Sequence, residues 1–124
     1  MRTLYTLFAL ISLVLVSFAV SAAPPNPILN VNCAVVSLGV CAASTGVTFD
    51  GGGLNPHKSY AVEATLLEDP TQDFTNALTV NSDGTYSAPG ESFVNGGTWT
   101  FTLSVLGHDG LPQKNLVVQT LAFQ

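Results

Sequence analysis

The chain is poor in charge, and above all in positive charge. Of its 124 residues, three are Lys or Arg, and one of these, Arg2, lies at the extreme N-terminus. Neutralising a phosphate backbone takes a basic patch, and two remaining lysines cannot supply one, so a nucleic-acid partner is excluded. Methionine is absent after position 1, which removes the axial thioether of a blue-copper centre. The two cysteines are not spaced Cys-x-x-Cys, which argues against a redox role. No Gly-x-Ser-x-Gly elbow occurs, neither histidine lies in a triad context, and no loop has the Asp-x-Asp-x-Asp-Gly calcium pattern. Runs of like charge are missing too, and 47% of residues are hydrophobic, so the low charge is not that of a disordered chain.

One long apolar run is present, and it stands at the start. Met1-Arg2 is followed by the uncharged stretch 3–20 and then by Val20-Ser21-Ala22, which places small residues at the −3 and −1 positions of a signal-peptidase site. This is the pattern of a secretory signal, and it predicts cleavage between Ala22 and Ala23. No second run of spanning length follows, so no membrane span is expected after cleavage. Residues 23–124 then carry two lysines against eight acids, a formal side-chain charge of −6. An oxidising destination makes an intramolecular Cys33–Cys41 bridge the expectation.

Residues 23–30 contain three prolines and read as an extended leader. Beyond it the pattern has period two. Trp99, Phe101, Leu103 and Val105 alternate with Thr98, Thr100, Thr102 and Ser104, and Tyr60, Val62, Ala64 and Leu66 alternate with Ala61, Glu63 and Thr65. The threonine row suits a solvated strand face. Glycine, proline and asparagine clusters break the runs, and Asp83-Gly84 carries the turn signal of a hairpin. About seven strands are predicted, near 30–37, 44–50, 58–67, 74–80, 85–88, 98–106 and 115–123. That count suits a single antiparallel β-sandwich over 31–124, with a small β-barrel as the alternative.

The segment Val47 to Tyr60, with its strand, Gly51-Gly52-Gly53, Leu54 and Asn55-Pro56 turn, resembles the first half of secreted bacterial immunoglobulin-like modules. Val80 to Ser87 is similar to their central hairpin, and Gly97 to Thr102 to their penultimate strand. The resemblance covers about residues 44–123 and implies an immunoglobulin-like sandwich used for adhesion, spacing or partner binding, without catalysis. The Cys33/Cys41 segment departs from it. The C-terminal strand, ending Leu121-Ala122-Phe123-Gln124, also resembles that of pilus subunits, which would imply self-association through an edge strand. The Cys33/Cys41 spacing is much shorter than that family's usual bridge.

Candidate site residues are few. His57 and His108 sit in turns and, with Asp109 or Asp50, could ligate a metal ion. Glu63, Glu68, Asp69, Asp73 and Glu91 are the carboxylates open to acid–base work, but solvated turn acids explain them, and no cofactor is implied. Trp99, Phe101, Tyr60 and Tyr86 are placed in the core by alternation. Phe93 is the one aromatic in a loop, either a plug for the open end of the sandwich or a contact for a glycan or protein partner. The expectation is a non-catalytic secreted module, either for adhesion, partner binding or extracellular structure, or for carbohydrate binding, or a self-assembling surface subunit.

Overall fold

The computed structural model describes residues 26–124; the signal segment expected over 1–22 and the cleavage site expected at Ala22/Ala23 lie outside them. The described residues are all-β, with nine strands in two sheets and no α-helix. The strands are β1 (Ile28–Asn32), β2 (Val35–Ser37), β3 (Val40–Cys41), β4 (Thr48–Gly52), β5 (Tyr60–Leu66), β6 (Asp73–Leu78), β7 (Tyr86–Ala88), β8 (Gly97–Leu106) and β9 (Pro112–Phe123). The small sheet runs β1-β4-β7. The large one runs β2-β3-β9-β8-β5-β6, antiparallel except where Cys41 of β3 meets Phe123 of β9.

The count is nine strands rather than seven, for local reasons. The strand expected over 30–37 is two, because the chain leaves the small sheet after Asn32 and enters the large one at Val35. The Cys33–Cys41 disulfide ties this crossover to β3, with Cα atoms 5.7 Å apart. Residues 28–30, read as leader, are the start of β1. Leu29 is buried there, and Asn30 and Asn32 each donate to the Asp50 carboxylate. The segment 44–50 begins as a 3-10 turn (Ala43–Thr45) and extends only from Thr48.

The Asp83-Gly84 turn forms as expected, with Gly84 at φ 86° and its N–H donating to Asn81 O. Its arms pair only at Val80–Tyr86, however, because β6 continues into the large sheet and β7 into the small one. A turn signal fixes a reversal of direction, not the sheet each arm joins.

The core lies between the sheets. Phe49 of β4 meets Phe101 of β8 edge-on at 5.7 Å, and Val62 and Leu103 are fully buried beside them. The alternation of β5 and β8 assigns these faces correctly. Burying such side chains stabilises by about 1.5–3 kcal/mol each. Opposite register places Thr65 and Thr120 on either side of Thr100, so the threonines of β8 belong to a hydroxyl-bearing outer face. In β9, Val117, Gln119 and Leu121 pair with Leu103, Phe101 and Trp99 and share their inward face. Gln119 is tolerated there because its amide donates to Leu29 O, which links the sheets. Within the small sheet, Tyr86 of β7 reaches past β4 to β1, its hydroxyl donating to Ile28 O at 2.8 Å. Burial, and then the Asp50 carboxylate, push that phenol up to about 12.

Candidate functional site

One end of the molecule gathers the loops 67–72 and 89–97. Trp99 organises it. The indole is buried in the core, tilted against Phe74 at 5.7 Å, and its Nε1–H donates to Asn95 O at 2.9 Å. A buried indole needs an acceptor, and here the acceptor is the loop itself. The loop is held from other sides as well. Val94 donates to Ala43 O, Val47 donates to Glu91 O, and the Asn95 amide donates to Gln72 Oε1.

The plug position that the sequence offers to Phe93 is taken by its neighbour Val94. Val94 is 3% exposed and closes the core, whereas Phe93 is 59% exposed and plugs nothing. Val94 joins the buried core cluster that includes Ala43 and Trp99, and its N–H donates to Ala43 O. Phe93 instead borders an open cleft of about 240 Å³, together with Gln72, Asp73, Glu91, Asn95 and the edge of Trp99. An outward aromatic ring is thus surrounded by two carboxylates and two amides.

The other acids of this end are engaged locally. Glu68 accepts from Thr98 N through both oxygens, at 2.9 and 3.1 Å, and this backbone hydrogen bond holds its carboxyl below the usual range. Asp69 accepts from the Thr71 hydroxyl at 2.6 Å and from the Gln72 amide, which lower it in the same way. Asp83, in its own turn, is lowered by the Thr85 hydroxyl and N–H. These carboxylates serve as turn braces. Glu63 stands on the outer face of β5, opposite Thr102 and Thr75, with Asp73 diagonal to it on β6.

At another place on the surface, the two histidines come together. His57 follows the Asn55-Pro56 turn and His108 lies in the β8–β9 turn, and both line one cleft of about 820 Å³. Asp109 sits beside His108 with its carboxylate accepting from Leu111 N at 3.0 Å. Asp50 is instead bound to Asn30 and Asn32 in the small sheet. No group of three metal-ligating side chains occurs among the described residues. Sequence reading missed that Lys58 and Lys114 join the histidines, because strand register and not sequence distance makes them neighbours.

No helix among the described residues is long and apolar enough to cross a membrane. No family model, curated protein or solved structure matches this chain.

Proposed function

We propose that the protein is a secreted, non-catalytic binding module with an immunoglobulin-like sandwich, and that its Phe93 cleft takes a neutral glycan. The observation that carries this reading is the outward Phe93 ring, 59% exposed on a loop that Trp99 anchors from below. An aromatic face can stack on the C–H face of a sugar ring, while neighbouring amide and carboxylate groups meet its hydroxyls. Such groups line the same cleft as Phe93: the amides of Gln72 and Asn95 and the carboxylates of Asp73 and Glu91. The loop is fixed before a ligand arrives, which lowers the entropic cost of binding. The cleft is small and open, so affinity per site is modest and suits a repetitive polymer. The disulfide and the N-terminal apolar segment support an extracellular setting.

Affinity electrophoresis in gels cast with neutral polysaccharides (xylan, mixed-linkage β-glucan and galactomannan) tests the reading. Retardation in at least one gel, lost in Phe93→Ala with an unchanged melting temperature, is the expected result. Unretarded migration in all three, or retardation that survives Phe93→Ala, would overturn it.

A further inference from the structure

The positive charge of the chain is concentrated in one place. Beyond Arg2, its only lysines are Lys58 and Lys114, and its only histidines are His57 and His108. All four line the same cleft, with Ser59 and Gln113 between them and Val105 and Leu106 in the wall. Among the described residues no carboxylate lines it, although acids outnumber lysines by eight to two in residues 23–124.

The fold makes this coincidence structural. Tyr60, Val105 and Lys114 are neighbours in one row across β5, β8 and β9. Leu106 N donates to Ser59 O at 2.8 Å, so the turn before β5 is tied to the end of β8. Each wall is also braced internally. Tyr60 accepts from Asn55 N at 3.0 Å, Asn55 accepts from His57 N at 2.9 Å, and Lys58 N donates to Asn55 O at 3.0 Å. Across the cleft, Gly107 N donates to Leu111 O at 2.9 Å and Gly110 N to Gly107 O at 3.0 Å. The nearest acid in sequence, Asp109, is turned onto Leu111 N.

We propose that this cleft binds an anionic oligosaccharide, with a carboxylate or sulfate group between Lys58 and Lys114 and the two imidazoles as further polar partners. The surrounding acidic body disfavours a long polyanion, which would have to run past its repulsive field. A compact anion avoids that field. The cleft volume suits a ligand of about two or three sugar rings. Ser59 and Gln113 supply neutral hydrogen bonds for hydroxyls, and the Val105–Leu106 wall suits a ring's C–H face. This site is separate from the Phe93 cleft and stands whether or not that cleft binds a glycan.

Isothermal titration of the full protein at low salt, with trigalacturonate, a sulfated disaccharide and neutral maltotriose as probes, tests it. Binding of one or both anionic probes and not of maltotriose is expected, and which anion binds names the group recognised. Affinity should fall at least tenfold in Lys58→Gln/Lys114→Gln and again on raising salt from about 20 to about 200 mM, since exposed charges are screened. Phe93→Ala should leave it unchanged. Both lysines are exposed, so the double variant should keep the parent's melting temperature. The proposal is overturned if neither anion binds, if maltotriose binds equally, if the lysine variant binds as the parent does, or if an oligo-aspartate peptide binds more tightly than either sugar.

Discussion

The Phe93 loops and the His57–His108 cleft are built by opposite means. Around Phe93, loops distant in sequence are stitched to one another and to the core. Trp99 holds Asn95, Asn95 holds Gln72, Ala43 holds Val94, and Glu68 holds Thr98. Around the histidines, each turn is braced mainly by itself, and beyond the β5–β8–β9 ladders the bond from Leu106 N to Ser59 O joins the walls. The first region collects Glu68, Asp69, Asp73 and Glu91; the second collects both lysines. A single scaffold therefore presents an acidic, aromatic surface whose shape depends on the core, and a basic cleft whose shape depends on turns. Damage to the core should be felt more at the first.

The largest effect should come from Trp99→Ala. It removes a buried indole from the core and leaves Asn95 O without its donor, at a cost of about 3–5 kcal/mol in denaturant unfolding. A near-neutral result would mean that the 89–97 loop does not rest on the core. Replacing Cys33 and Cys41 together by serine should cost about 2–3 kcal/mol, through the entropy of a loop with separation eight, and should weaken neither cleft selectively.

Two glycines sharpen the contrast directly. Gly46 has φ 68°, and an added Cβ would lie 2.2 Å from Glu91 O, inside the stitched region. Gly46→Ala should cost at least about 2 kcal/mol and shift the Phe93 loop. Gly110 has φ 77°, but a Cβ there meets nothing within 4 Å. Gly110→Ala should cost only about 1 kcal/mol, the penalty of a left-handed residue alone. Equal losses would erase the distinction between the two regions.

The smallest effect concerns pH. Hydrogen bonds hold the Glu68 and Asp69 carboxyls below their unfolded values of 4.5 and 3.8. A lowered folded value means stabilisation that is present above the unfolded value and lost as pH falls through the folded one. Melting temperature should therefore decline as pH drops below about 4.5, and Glu68→Gln should flatten the upper part of that decline.

Much of the fold was legible because alternation states a face directly. Trp99, Phe101 and Leu103, and Tyr60, Val62, Ala64 and Leu66, are buried where period two puts them. The last strand was less legible, because Leu116 to Phe123 is apolar on both faces and one inward position is Gln119, whose partner Leu29 is ninety residues away. The split at Asn32 and the parting of β6 from β7 depend on sheet membership, which no local residue pattern encodes. Phe93 was found as a loop aromatic, but that Val94 and not Phe93 is the buried residue depends on tertiary contacts of the loop, such as Val94 N to Ala43 O. The basic cleft was half visible: both histidines stood out as polar turn residues, yet their meeting with Lys58 and Lys114 rests on the β5–β8–β9 register.

The central claim is that one scaffold offers two surfaces of different chemistry. An amide-resolved NMR titration of the isotopically labelled protein tests it most directly, with xylohexaose and trigalacturonate added in separate series. The account predicts disjoint perturbations, at 71–74 and 91–99 for the neutral sugar and at 57–60, 105–109 and 113–114 for the anionic one. Both sugars moving the same amides, or neither moving any, would contradict it.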